Sequence, residues 1–320
     1  MFKLRIKLLN LMNGLSKKKG SSSPHNIIFR KVSYDWNEAP IDWIPNEPFA
    51  SHLINTMHLL LPGGEFWMCR MLNKALPSIT DEKLREDVKR FIHQEAMHAR
   101  THETAAIKYM RSYNLIPEVY TRRVEWLYDK VLGDKPFGIE LSTRLEKEWL
   151  IYRIGCMAAL EHLTCILGQY ALDQRAWDNA NANPAMLDLL RWHGAEEVEH
   201  RCVAFDVYKY LGGTYLGHFP AIASIAIVVI GLWLYGASEI MKQHPAISEN
   251  PTPLKPWFWT EWHKATNKDL LPSFFWLISQ MKGFLNINYN PIDEGSTEQA
   301  LAYLSTSLGY IQALREDAVH

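Results

Sequence analysis

Two stretches of this 320-residue sequence repeat one short pattern, a glutamate followed three positions later by a histidine. Glu95 and His98 form the first pair, and Glu197 and His200 form the second. Few glycines or prolines interrupt the residues around them, so both stretches are expected to be helical. Residues three apart on a helix share one face. The repeat therefore predicts two helices that each present a carboxylate and an imidazole to a common site.

A further glutamate precedes each pair: Glu65 lies 30 residues before Glu95, and Glu161 lies 36 residues before Glu197. Both lie among apolar residues, where a carboxylate is costly to bury unless it is paired or bound to a metal. The chain is therefore predicted to form two helical hairpins that supply the ligands of a two-metal site in a four-helix bundle. Surface charges on amphipathic helices are the alternative, because short motifs also arise by chance.

Other polar residues near the motifs are candidates for the same site. His102 and His193 lie on the same helix faces as the two pairs, so each could be an additional ligand or a hydrogen-bond partner of a ligand. Glu196 would replace Glu197 if the helix register were shifted by one residue, and Asp206 could hold the far nitrogen of a ligating histidine. The candidate metal ligands are Glu65, Glu95, His98, His102, Glu161, His193, Glu197 and His200.

The sequence predicts an all-α fold, because no segment shows sustained strand alternation. We divide it into a basic amphipathic tail (1–34), a di-metal helical bundle (35–212) and an apolar membrane-associated helix with C-terminal helices (213–320). Helices are expected at about residues 80–114, 118–132, 142–177, 184–211 and 220–240, with breaks at 62–64, 77–78, 117, 133–134 and 183–184.

Two segments indicate contact with a membrane. The first 34 residues hold eight Lys or Arg and no acidic residue, which suits a tail on an anionic lipid surface, although a frayed terminus has the same composition. Residues 210–238 contain no charged residue, and a helix over about 220–240 would be roughly 30 Å long, enough to cross a membrane. Trp233 and Tyr235 would suit its interface with water. A buried core helix is the alternative.

Charge and cysteine content exclude some classes of function. Lys and Arg total 34 against 35 Asp and Glu, so the net charge of −1 offers no electrostatic basis for binding nucleic acid. The four cysteines form no CxxC pair, which argues against a zinc ribbon or a disulfide scaffold. Reduced thiols are typical of a protein that faces the cytosol.

The segments 91–102 and 192–208, which contain the two motifs, resemble a bacterial family known as predicted metal-dependent hydrolases, and the order of ligands resembles that of ferritin-like di-iron carboxylate proteins. The resemblance covers about residues 25–290. It implies a ferritin-like four-helix bundle with extra helices and one long apolar, membrane-inserted helix. With the membrane segments, it implies a location at the bacterial inner membrane, peripheral or with a single span, with the bundle on the cytoplasmic side.

Carboxylates combined with imidazoles favour iron or manganese, so the expected cofactor is two iron ions, with manganese as the alternative. By resemblance, the leading hypothesis is an O2-dependent di-iron oxygenase or oxidase that acts on a lipophilic substrate. No electron-transfer motif occurs in the sequence, so a separate electron donor is expected, and membrane lipid is a further expected partner. The alternatives are a hydrolase that uses metal-activated water and a non-enzymatic iron-handling protein.

Overall fold

The computed structural model describes residues 26–37 and 39–318. This part of the chain is helical, with no strand, which confirms the all-α class. Most of the predicted basic tail lies outside the described residues. The α-helices are α1 (Pro48–Asn55), α2 (Met57–Ala75), α3 (Glu82–Thr104), α4 (Glu118–Trp126), α5 (Thr143–Asp173), α6 (Ala176–Asn179), α7 (Pro184–His200), α8 (Val203–Tyr210), α9 (Tyr215–Met241), α10 (Pro256–Asn267), α11 (Phe274–Gln280), α12 (Thr297–Leu304) and α13 (Leu308–Asp317).

Local chemistry explains where the two motif-bearing helices start. The Asp81 carboxylate caps α3 by accepting a hydrogen bond from the Leu84 backbone N–H at 2.9 Å. The Asn183 side chain caps α7 in the same way, and Pro184 occupies the first helical position, where its missing N–H costs nothing. These caps fix where each helix begins and hence which residues of the motif lie on its inner face.

Several predicted boundaries were wrong. The break expected at residues 62–64 is absent, because α2 continues through Pro62. Gly63 and Gly64 instead allow close packing: a Cβ on Gly63 would lie 2.8 Å from Val124, and one on Gly64 would lie 3.0 Å from the Tyr128 hydroxyl. The helix expected over 80–114 turns into a π-helix at 105–110, and the one expected over 184–211 is interrupted at 201–202.

Two antiparallel hairpins form the centre of the fold. Helix α2 packs along α3, and α5 packs along α7. The hairpins meet through contacts of α2 with α5 and of α3 with α7. Within the second hairpin, a Cβ on Gly168 would lie 2.4 Å from the Gly194 carbonyl oxygen, so these backbones touch directly. The four helices thus enclose the space into which the motif residues point.

Two helices are long and apolar enough to cross a membrane, Thr143–Asp173 and Tyr215–Met241. The apolar part of the first is 61% buried in the protein, as expected for a core helix, whereas that of the second is 28% buried. Helix α9 starts five residues before the predicted Pro220 and packs on α5 and α1. Trp233 donates a hydrogen bond to the Leu53 carbonyl, and Tyr235 packs near Tyr120, so both contact protein.

One buried carboxylate on the bundle binds several groups of the two last helices and the turn between them. Asp188 on α7 accepts hydrogen bonds from the Tyr303 hydroxyl at 2.7 Å and from the Ser307 hydroxyl at 2.8 Å. The backbone N–H groups of Leu308 and Gly309 also donate to it, at 2.9 and 2.8 Å. Asp188 therefore anchors the start of α13 to the helix that carries the second motif.

Candidate metal centre

All eight candidate ligands lie inside the bundle. Glu65 comes from α2, and Glu161 comes from α5. Helices α3 and α7 supply three residues each, as their motifs require. None of the eight is more than 6% exposed. The alternative of solvated surface charges is therefore excluded.

Seven of the eight residues fall into two adjoining groups. Within each group, the ligand atoms all lie within 4.8 Å of one another. The groups touch, because His98 Nδ1 lies 3.6 Å from Glu95 Oε1 and 3.4 Å from Glu197 Oε1. One continuous cluster therefore offers two neighbouring positions for an ion. The first group is Glu65, His98 and His193, and the second is Glu95, Glu161, Glu197 and His200.

The far nitrogens of two histidines are held by residues outside the cluster. His98 Nε2 lies 3.0 Å from Glu196 Oε2, which leaves Nδ1 facing the cluster. His200 Nδ1 lies 3.0 Å from the Gln94 side-chain oxygen, which leaves Nε2 facing Glu95 and Glu161 at 3.1 and 3.2 Å. Such outer partners orient a ligating ring and select its tautomer.

Glu196 and Glu199 belong to this outer layer, and both pair with the single positive charge of Arg30. Its guanidinium lies 3.2 Å from Glu196 and 2.9 Å from Glu199. Gln94 also donates to Glu199 at 2.7 Å. Glu196 was the alternative ligand if the helix register were shifted by one residue, but its carboxylate instead contacts the far nitrogen of His98. Glu196 thus has the role that we expected of Asp206.

His102 lies behind His193 and not in the two groups. A chain of contacts runs from His193 Nδ1 to His102 Nε2 at 2.5 Å, from His102 Nδ1 to His58 Nδ1 at 2.7 Å, and from His58 Nε2 to Met186 Sδ at 3.1 Å. Burial lowers the pKa of His58 to about 3 and that of His193 to about 4, and lowers the pKa of His102 as well. Each ring is therefore neutral and carries one hydrogen.

The three neutral rings carry one hydrogen each, so three hydrogens serve the four contacts from Glu197 to Met186. The Glu197 carboxylate is a stronger acceptor than the Met186 thioether, so His193 Nε2–H donates to Glu197 at 2.7 Å. His193 Nδ1 then accepts from His102 Nε2–H, and His102 Nδ1 accepts from His58 Nδ1–H. A metal on His193 Nε2 would require the opposite direction, with the His58 hydrogen on Nε2, facing Met186.

The cluster contains buried polar atoms that the described residues do not satisfy. Both oxygens of Glu65, one oxygen each of Glu95 and Glu161, and His98 Nδ1 have no hydrogen-bond partner among the described residues. Buried polar groups are rarely left in this state because each costs about 1–3 kcal/mol. A pair of cations would satisfy them all, so the donor set fits metal.

Burial and the charges of neighbouring side chains shift the pKa values of the residues in the cluster. Burial raises the pKa of Glu161 to about 8 with a contribution from Glu197, and raises that of Glu65 well above its usual range. Burial would lower the pKa of His98, but its carboxylate partners, Glu196 first, raise it well above the ordinary value. Without metal, protons thus supply the positive charge that the carboxylates require, and metal binding would release them.

An apolar pocket leads to the carboxylates. It is lined by Glu65, Glu95, Glu161 and Glu197 at its inner end and by mostly apolar side chains elsewhere, including Trp233 of α9 and Phe274 of α11. Thr164, which donates to Glu197 Oε2 at 2.5 Å, also lines it. Sequence reasoning missed Thr164, although its position three residues after Glu161 places it on the same helix face.

Arg30, Gln94, His58, Met186 and Glu199 were also missed. Gln94 and Glu199 directly neighbour motif residues, so the sequence shows that they lie near the site. It does not show which groups their side chains contact. Arg30, His58 and Met186 come from other parts of the chain, and no local pattern marks them.

The fold and the cluster together define an all-helical protein with a buried carboxylate–histidine site able to hold metal. The family described as "Predicted metal-dependent hydrolase" matches residues 28–295, and the chain belongs to that family. This confirms the resemblance, while the wider relation to ferritin-like proteins stays a prediction. No curated protein and no solved structure matches the chain.

Proposed function

We propose that the protein is a two-metal enzyme that acts on a lipophilic substrate. The observation that carries this proposal is the fully buried cluster of four glutamates and three histidines, several of whose donor atoms lack a hydrogen-bond partner among the described residues. A cluster of that charge is costly to bury without cations. Carboxylate oxygens with imidazole nitrogens suit iron or manganese.

The pocket supports a lipophilic substrate. Its polar inner end is formed by the glutamates, and its walls are apolar and include residues of α9 and α11. These two helices also carry exposed apolar side chains: Phe219 and Ile227 are 67% and 77% exposed on α9, and Phe275 is 85% exposed on α11. We therefore propose that this side of the molecule rests on the cytoplasmic face of a bacterial inner membrane, from which the substrate enters.

The first candidate reaction is hydrolysis of an ester or phosphoester, as the family description indicates. The two groups of glutamates and histidines would hold two adjacent metal ions, which when bound would supply an activated water and polarise a substrate oxygen. The chain's own residues bind the apolar part of the substrate, exclude bulk water and, through Glu196 and Gln94, keep His98 and His200 oriented toward the cluster.

A second candidate is O2-dependent oxidation of the substrate by a di-iron centre with a separate electron donor. The apolar lining of the pocket favours it, because the described walls near the carboxylates offer few polar groups besides Thr164, Tyr128 and Gln280 to bind a charged leaving group. A dry, apolar pocket instead suits reaction at an unactivated carbon.

One set of assays separates the two reactions. Full-length protein is loaded anaerobically with Fe(II) or Mn(II) and offered p-nitrophenyl esters of increasing acyl length, and separately a long-chain fatty acid with reductant and O2. Ester turnover without O2 or reductant supports hydrolysis, whereas O2 uptake with an oxidised fatty acid supports the second candidate. Fe(II) oxidation without an organic product contradicts both and indicates iron handling.

The same assays test the substrate class. Because each buried CH2 contributes about 0.8 kcal/mol, KM should fall steadily as the acyl chain lengthens, until the pocket is filled. The Glu161→Gln variant should lose turnover for all chain lengths, and the Glu298→Gln variant, altered on the exposed side of α12, should keep it. A KM independent of chain length would contradict a lipophilic substrate.

A further inference from the structure

A second group of metal-ligating side chains lies outside the cluster described above. It consists of Asp42 in the loop before α1, His52 on α1, and His244 just after the end of α9. One ligand atom from each lies within 4.8 Å of the other two. His52 is completely buried, and His244 is 6% exposed. The group therefore joins two parts of the chain that are almost 200 residues apart.

The three side chains converge on a common point. His244 Nε2 lies 3.3 Å from Asp42 Oδ1. The rings of His52 and His244 are 4.8 Å apart between centroids and nearly perpendicular, at 64°. This arrangement does not join the two imidazoles by a hydrogen bond, and it places nitrogen and oxygen donors around a small volume.

The buried polar atoms of this group are not satisfied by the described residues. Neither His52 Nδ1 nor His52 Nε2 has a hydrogen-bond partner among them, and Asp42 Oδ1 has none either. A buried imidazole normally satisfies at least one of its nitrogens, because a lost hydrogen bond costs about 1–3 kcal/mol. Burial, with the nearby His244, lowers the pKa of His52 to about 3, so its ring is neutral and has a free lone pair.

We propose that Asp42, His52 and His244 bind one divalent transition-metal ion of the Zn2+ type, separate from the two-metal centre. Two imidazole nitrogens and one carboxylate oxygen are a donor set that Zn2+ commonly takes. The site has fewer carboxylates than the main cluster, so it favours Zn2+ over Mn2+. Its ligands connect the loop, α1 and the end of α9, and the ion contributes to stability by holding these segments together.

One contact predicts a spectroscopic signature for this binding. The Ala246 backbone N–H donates to His244 Nδ1 at 3.3 Å, which places the ring hydrogen on Nε2, toward Asp42. An ion on Nε2 requires the hydrogen on Nδ1. Zn2+ binding therefore moves the hydrogen of His244 from Nε2 to Nδ1. The hydrogen bond from the Ala246 N–H is then lost, and at 3.3 Å it is longer than the usual 2.9–3.0 Å.

The test titrates Zn2+ alone into full-length, EDTA-treated protein in which His98→Gln and His200→Gln remove a histidine ligand from each of the two groups of the main centre. We expect one equivalent to bind, and the ¹⁵N spectrum of His244 to show the change of tautomer. Adding His52→Gln should abolish this binding, whereas adding His263→Gln, on an exposed histidine of α10, should leave it unchanged. Equal Zn2+ binding with and without His52→Gln would overturn the proposal.

A second arm does not depend on the folding of these multiple variants. The single variant Asp42→Asn changes a partly exposed side chain in otherwise native protein. It should lower the total Zn2+ content by one equivalent and lower Tm in the presence of Zn2+, while the iron content of the main centre stays the same. Unchanged Zn2+ content would overturn the proposal, whether or not the iron content changes.

Discussion

At the scale of single residues, the site depends on groups that never touch the expected metal position. Glu196 and Gln94 hold the far sides of His98 and His200. Met186 is the acceptor that the His58 ring would need if a metal took the His193 lone pair. This outer layer therefore orients the ligating atoms toward the expected metal position.

The histidine chain gives the first prediction. Met186→Leu keeps the apolar volume but removes the acceptor that His58 Nε2–H would need in the metal-bound state. In ¹⁵N spectra we expect the His58 hydrogen on Nδ1 in metal-free protein, native and variant alike, and on Nε2 when the native protein binds Zn2+. Metal affinity of the variant should fall about 10-fold or more, as for other outer partners of ligands.

The control for this experiment is Met110→Leu, which changes another fully buried methionine. It should leave both the tautomers and the metal affinity unchanged. Native metal affinity in the Met186 variant would contradict the assigned role of the sulfur.

Arg30 gives the second prediction. Arg30→Met leaves Glu196 and Glu199 buried without their cation, and breaking a buried ion pair in this way typically costs about 3–5 kcal/mol. We expect a loss of this order in urea unfolding, together with weaker metal binding. Arg122→Met, on an exposed arginine, should change the free energy of unfolding by less than about 0.5 kcal/mol. Equal stability of the two variants would show that Arg30 does not hold the outer layer.

At the scale of helices, the distance between α5 and α7 is set by two glycines in contact. A Cβ on Gly168 would lie 2.4–2.9 Å from the backbone of Gly194, and neither backbone can move aside cheaply. Glu161 lies two turns before this contact on α5, and Glu197 lies one turn after it on α7. The spacing of these two carboxylates therefore depends on the glycine contact.

Gly168→Ala should force the two helices apart, with a cost of about 1–3 kcal/mol from overpacking and a measurable loss of metal affinity. The matched control is Gly231→Ala on α9, where an added Cβ meets nothing within 4 Å. That change should stabilise the protein by about 0.5–1 kcal/mol, because alanine is the better helix former. Urea unfolding and metal titration measure both, and a stabilised Gly168 variant would contradict the helix contact.

The sequence predicted the elements that carry the ligands better than it predicted their ends. Spacing three apart correctly placed Glu95 beside His98, because helix geometry alone determines it. The break predicted at Pro62 was wrong, since tertiary packing of Tyr128 against Gly64 stabilises a continuous helix there. The outer partners could not be predicted, because Arg30 and His58 approach from remote parts of the chain.

At the scale of the whole molecule, helices α9 and α11 border the pocket and bear large exposed apolar side chains. In the proposed function, this apolar surface rests on a membrane, and a lipophilic substrate enters the pocket from it.

This surface gives a further prediction. Replacing Phe219, Ile227 and Phe275 together by glutamate should abolish sedimentation with anionic phospholipid vesicles, because buried apolar area drives interfacial binding. Metal content should stay unchanged. The control replaces Leu308 and Leu314, exposed on α13, by glutamate and should still bind vesicles. Vesicle binding by the triple variant at the native level would exclude α9 and α11 as the lipid-binding surface.

The most direct test of the central claim is the metal content of full-length protein loaded anaerobically with Fe(II) and freed of excess. The account predicts two ions per chain, most of both lost in Glu95→Gln and in Glu197→Gln, and none lost in Glu103→Gln on the exposed side of α3. A native chain that binds no iron or manganese, or a full complement of metal in the folded Glu95 and Glu197 variants, would contradict it.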